Sequence, residues 1–149
     1  MKEKEAFTHY FREVQPKFTR LCVRNLSREK LTIPQFAALN VLAAAGTLPM
    51  TELSGKLYIS KPAVTNLVDR LEENKYLKRI SEPNDRRVHL IRIEPKGEKL
   101  VREMQASILV SLLKTLEKFS AAERQTVTRF YKELSEVMDV FLILEDKKK

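Results

Sequence analysis

The sequence predicts a mainly α-helical chain with one small β-wing: a winged helix-turn-helix flanked by long helices. Three observations carry this. Apolar residues recur at helical spacing over long stretches at both ends of the chain. Two short, well-capped helical segments follow each other between positions 50 and 74. Directly after them come two strand-like runs around a Pro-Asn-Asp turn. The 149 residues are 43% hydrophobic and 32% charged, enough for one core under a surface of long charged side chains. Three glycines and no tryptophan argue against an all-β chain full of tight turns.

The first helix is expected over 4–27. There Phe7, Tyr10, Phe11, Val14, Phe18, Leu21, Cys22 and Leu26 share helical spacing, and Pro16 is a candidate kink or break. The second opens at Thr32, with Gln35 at capping-box spacing and Pro34 in the first turn, where a missing N–H costs little. Its buried stripe is Phe36, Leu39 and Leu42, and Gly46 is its stop. Two short helices follow in tandem: 50–57 after Pro49, then one capped by Ser60 with Pro62 in its first turn.

In that second short helix Val64, Leu67, Val68 and Leu71 take the core-facing period. Lys61, Pro62, Thr65, Asn66, Asp69 and Arg70 are left on the opposite face. Strand-like runs at 76–81 and 87–93 flank a turn at 82–86, and Pro95 ends the second strand. Beyond it, Leu100, Met104, Ile108, Leu112, Leu116 and Phe119 mark one long helix. Ser120 with Glu123 caps another, carrying Val127, Phe130, Tyr131, Leu134, Val137, Met138, Phe141 and Leu142. Neither stripe is easily covered within one copy, so self-association is expected; the tail 145–149 is expected to fray.

Charge and composition narrow the function. The net charge of +8 favours a nucleic acid or another anionic partner. Cys22 is the lone cysteine, so no disulfide framework is expected and a reducing cytoplasm is the default. It is read as a small core residue rather than a sensing thiol. No long apolar segment follows the N-terminal lysines and no run spans a membrane, so neither a secretory signal nor membrane insertion is expected. His9 and His89 have no metal-ligand spacing, and there is no phosphate loop or nucleophile elbow, so no metal, cofactor or catalysis is expected.

A helix fits the major groove, and a basic hairpin beside it can reach the backbone or the electronegative minor groove. From 75 to 92 the basic residues are Lys75, Lys78, Arg79, Arg86, Arg87 and Arg92, against only Glu82 and Asp85. The excess positive charge is therefore expected to concentrate in the hairpin. The partner this order fits is double-stranded DNA.

The stretch SKPAVTNLVDRLEENKYLKRISEPNDRRVHLIRIEPKGEKL resembles the multiple-antibiotic-resistance-regulator (MarR) family of transcription factors. It combines a helix ending in VDRLE, a hairpin carrying Asp-x-Arg, and a strand that closes just before Lys-Gly. The resemblance implies a homodimer, usually a repressor, on a pseudo-palindromic operator. Many members release DNA in response to a small aromatic ligand or an oxidant, so a small aromatic effector is the implied partner. It implies a dimerisation helix over 1–30, a DNA-binding winged helix-turn-helix over 31–95 and dimerisation helices over 96–149. It further implies base contacts by Lys61, Pro62, Thr65 and Asn66, and phosphate contacts by Ser60 and Arg70. Asp85 and Arg87 match the wing element, Asp85 orienting Arg87 toward the minor groove, with Arg86 on phosphate. The effector's binding residues are not assigned by the resemblance.

Two positions depart from the family pattern. Lys75 stands where the family usually has glycine, and Asn74 is expected to take the left-handed turn there. Glu94 replaces the usual threonine before Pro95. Two other functions would use the same surface: a winged-helix protein-interaction module, and a nonspecific architectural DNA binder.

Overall fold

The structure, a computed structural model, describes residues 2–82 and 84–146, without the side chains of Arg86, Arg87, Glu145 and Asp146. The order is α1 (Lys2–Arg28), α2 (Ile33–Ala45), β1 (Leu48–Pro49), α3 (Met50–Leu57), α4 (Lys61–Glu73), β2 (Leu77–Glu82), β3 (Asp85–Ile93), α5 (Pro95–Leu116) and α6 (Ala121–Asp146). Two compact units result, residues 1–108 and 109–149, the second beginning within α5.

The helix signals are realised as local chemistry. Thr32 and Gln35 form a complete capping box on α2, and the helix stops at Gly46, whose φ is +79°. Ser60 Oγ accepts the Ala63 N–H at 3.3 Å and caps α4. In α1 the chain stays helical through Pro16. Proline removes one N–H there, but the helical bonds on both sides survive, so no break forms.

The core of the first unit gathers one face from each element. Leu26 of α1, Leu39 and Leu42 of α2, Leu53 of α3 and Val64, Val68 and Leu71 of α4 are fully buried against Leu77, Ile91, Leu100 and Met104. Each such aliphatic side chain contributes roughly 1.5–3 kcal/mol over leaving it exposed. Ser54 and Gln35 are the buried polar residues among those described; the Ser54 hydroxyl donates to the Ile59 carbonyl at 2.8 Å and fixes the turn between α3 and α4.

The sheet has three antiparallel strands in the order β1-β3-β2. The hairpin was expected; β1 was not. Leu48 pairs with Ile91 and Pro49 with Leu90, on an edge where a proline need not donate to a further strand. The turn is also tighter than expected. Asp85 already belongs to β3 and pairs with Glu82, whereas Ser81 pairs with His89. Residues 86–88 therefore lie on the longer side of a bulge, which twists and re-aims a strand.

Helices α1, α3 and α4 end the same way, with a left-handed residue that is not glycine: Lys30, Tyr58 and Lys75, all with φ between 54° and 61°. At α4 the Tyr76 N–H reaches the Leu71 carbonyl and the Lys75 N–H the Glu72 carbonyl, both at 2.9 Å. Two terminal carbonyls of the helix are thereby satisfied. This corrects the expectation for Asn74, which has φ −87° and donates its side-chain amide to the Arg70 carbonyl at 2.8 Å. At α4 the residue that turns is Lys75, the one after the cap.

In the second unit, Ser120 and Glu123 form the expected reciprocal cap of α6. The Ser120 hydroxyl and N–H hold the Glu123 carboxyl below its ordinary range. Arg124 donates back to the carbonyls of Leu116, Glu117 and Phe119, closing the end of α5. Along α6, Phe130, Tyr131, Leu134, Val137, Met138, Phe141 and Leu142 are all 40% exposed or more. Of the tail, residues 147–149 lie outside the described residues.

Candidate nucleic-acid interface

The proposed reading face begins with α4. Its four core residues, Val64, Leu67, Val68 and Leu71, are buried, so the helix cannot rotate about its axis without exposing them. Ser60, Lys61, Pro62, Thr65, Asn66 and Arg70 are consequently held exposed on the outer side. The short turn from α3 sets where this helix starts, through the Ser54–Ile59 bond and the Ser60 cap.

Hydrogen bonding differentiates these side chains. The Thr65 hydroxyl donates to the Lys61 carbonyl at 2.9 Å, so toward a ligand it offers lone pairs and a methyl group. Ser60 spends an acceptor position on its cap and keeps its O–H as a donor. Asn66 and Arg70 line a shallow depression with Leu67 and the start of α2, at Thr32, Pro34 and Gln35. Neither Asn66 nor Arg70 has a side-chain partner among the described contacts, and Arg70 sits in the last turn of α4.

The wing does not carry the charge that its composition suggests. Lys78 is paired at 2.7 Å with Glu94, the residue that follows β3. Arg79 is bound to two carboxylates of α4, Asp69 and Glu72, each at 2.5 Å. Its backbone N–H donates to Glu72 as well, at 2.8 Å. Burial alone would lower the Arg79 pKa, but the hydrogen bonds it donates to Asp69 and Glu72 more than offset this and raise it. Two of the six cations counted for the hairpin are thus neutralised by acids that lie outside it in sequence, Asp69 and Glu72 on α4 and Glu94 after β3. Arg92 and Lys75 remain exposed. The assigned side chains of Arg86 and Arg87 lie outside the described residues, and Asp85 opens β3 at an exposed position.

The wing is rooted in a second cluster. Tyr76 is buried, and its hydroxyl donates to Glu29 Oε2 at 3.1 Å; burial first, and then Glu29, push its pKa up. Lys96 lies 4.2 Å over the Tyr76 ring and donates to the Asn74 carbonyl at 3.0 Å. Gly97 packs where a Cβ would come within 2.3 Å of the Tyr76 carbonyl oxygen. These contacts join the ends of α1 and α4 to the start of α5.

The MarR family model matches residues 31–89, the stretch that runs from the cap of α2 into β3. Over residues 31–89 the chain is a match to the MarR family. An uncharacterized HTH-type transcriptional regulator of Bacillus subtilis, YsmB, is 38% identical over 79 residues, 53% of this chain. The match spans about half, 54%, of that relative's length. A MarR family protein from Bacillus stearothermophilus superposes with a TM-score of 0.77 at 29% identity, covering 93% of this chain and 96% of that one. An S. aureus MepR mutant bound to an oligodeoxyribonucleotide shares the fold with a TM-score of 0.70 at 24% identity, over 88% of this chain and 97% of that one. Against this MarR-family fold, Arg79 is the residue that sequence reasoning misplaced. Its signal was the pair of acids three apart on α4, Asp69 and Glu72, of which only Asp69 was placed on the outer helix face.

Proposed function

We propose that this protein is a sequence-specific DNA-binding transcriptional regulator of the MarR family, acting as a homodimeric repressor of a pseudo-palindromic operator. The observation that carries the reading is α4. Its inner face is locked in the core while Lys61, Thr65, Asn66 and Arg70 stand exposed next to a bulged hairpin. In the family's MepR the same fold is seen with an oligodeoxyribonucleotide. Lys61, Pro62, Thr65 and Asn66 contact base edges, and Ser60 and Arg70 contact phosphate. In the wing, Asp85 orients Arg87 toward the minor groove and Arg86 meets the backbone.

Residues 31–95 form the DNA-binding part, and the helices of 1–30 and 96–149 associate with a second copy. The exposed apolar side chains of α1 (Phe7, Tyr10, Phe11) and of α6 support this, since each face needs a cover in water. The symmetric dimer sets two recognition helices roughly 34 Å apart, one turn of duplex. Release by a small aromatic effector completes the reading and rests on family resemblance.

Selection of bound sites from random duplexes, followed by titration at several salt concentrations, tests the proposal. A palindromic consensus and a steep fall of affinity with salt are expected. The Asn66→Ala and Thr65→Ala variants should alter base preference, whereas Arg70→Ala weakens all sequences alike. A salt slope without any consensus would assign a nonspecific architectural binder; neither a slope nor a consensus would leave a protein-interaction module.

A further inference from the structure

We infer that Arg79 is a positioning residue that clamps the wing to the recognition helix and makes no DNA contact itself. This rests on the DNA-binding reading of α4 and the wing. Arg79 lies on β2, and its three bonds all run to α4: Nη1 to Glu72, Nη2 to Asp69, and the backbone N–H to the second oxygen of Glu72. Asp69 and Glu72 stand three apart, so they share one side of the helix. A planar guanidinium can bridge two carboxylates in a fixed orientation, which a lysine ammonium cannot do. Three bonds at a single strand residue restrict both the sliding and the rotation of β2 against α4. The angle between the groove-reading helix and the wing is therefore set here.

Electrostatics points the same way. Asp69 neighbours Arg70 on the helix, close to the face offered to phosphate. With Arg79 in place the three side chains sum to one negative charge; without it they sum to two. An Arg79 released to reach a phosphate would uncover both carboxylates beside that same phosphate. Its side chain is 24% exposed, less than either acid it binds. The clamp thus serves DNA binding by geometry and by neutralisation.

The experiment uses the full chain with Arg79→Gln, Arg79→Lys, the pair Asp69→Asn/Glu72→Gln, and the combination of that pair with Arg79→Gln. In the free protein, amide exchange at 78–81 should speed up at least about tenfold in Arg79→Gln while α4 core amides near Leu67 and Val68 stay protected. Unchanged exchange at 78–81 would overturn the clamp with or without DNA. On a selected duplex, Arg79→Gln should bind at least about tenfold more weakly, as expected for losing charge-assisted bonds. Its bound fraction should lose minor-groove protection from hydroxyl radicals but keep the major-groove protection of α4. Arg79→Lys should recover only part of both.

The combined variant should bind no more weakly than Arg79→Gln alone, because both changes open the same clamp. Additive losses would instead make Arg79 act independently of the two acids, as a direct phosphate contact. If the unmodified protein binds no duplex, the DNA-binding reading fails, and the exchange measurement still decides the clamp.

Discussion

Arg79 gives Glu72 two hydrogen bonds, one from its guanidinium and one from its own backbone N–H. One carboxylate at the end of α4 thereby holds both the side chain and the main chain of β2. The consequence is a winged helix whose wing is referenced to α4 by charge as well as by the chain that links them.

Lys75 turns left-handed at the base of that wing, with φ +61°. A side chain in this region costs roughly 1–2 kcal/mol, while a glycine there gives back part of the gain through its freer unfolded chain. Lys75→Gly should therefore stabilise the protein by about 0.5–1 kcal/mol in urea unfolding. A β-branched replacement such as Lys75→Val should destabilise it. If Lys75→Gly were destabilising, the turn would owe its conformation to a contact of the lysine side chain.

Gly97 is required for a different reason. Any Cβ would meet the Tyr76 carbonyl oxygen at 2.3 Å and Ile93 Cγ1 at 2.8 Å. That carbonyl also accepts the Glu94 N–H at 2.9 Å, so it cannot move aside freely. Gly97→Ala should cost about 1–3 kcal/mol, as overpacking does. Thermal unfolding would show it, and an unchanged midpoint would mean that the start of α5 can shift.

Phe141 and Leu134 lie on the exposed apolar side of α6, at 60% and 40% exposure. If a second copy covers them, Leu134→Glu with Phe141→Glu should shift the protein from dimer to monomer in sedimentation equilibrium. Burial of an unpaired carboxylate at such an interface is costly. A double variant that remained dimeric would place the interface elsewhere.

Cys22 is partly buried, and that burial pushes its thiol pKa up. The folded state therefore favours the protonated form. Its contribution to stability is intact below the unfolded pKa and is lost as pH rises through the folded one. Alkylation follows the thiolate, so its rate should rise with a midpoint above that of a free cysteine, about 8.5. A midpoint below that value would mark a reactive thiol and reopen the sensing role.

The parts legible in the sequence are those fixed by neighbours along the chain. Thr32 with Gln35, and Ser120 with Glu123, cap helices because three residues of spacing bring a side chain back to its own backbone. The outer face of α4 follows from Val64, Leu67, Val68 and Leu71 alone, since a helical period that buries one side exposes the other.

Tertiary structure decided what depends on partners distant in sequence. Strand β1 is two residues long and exists because Leu48 meets Ile91, more than forty positions away. Tyr76 finds Glu29 across 47 positions. The charge of the wing was settled in the same way. Lys78 and Arg79 count toward the excess positive charge of 75–92 in the sequence, and folding pairs both within the protein, with Glu94, Asp69 and Glu72. Periodicity and capping are local and survive as written, whereas an ion pair falls off with distance in space and takes no account of separation along the chain.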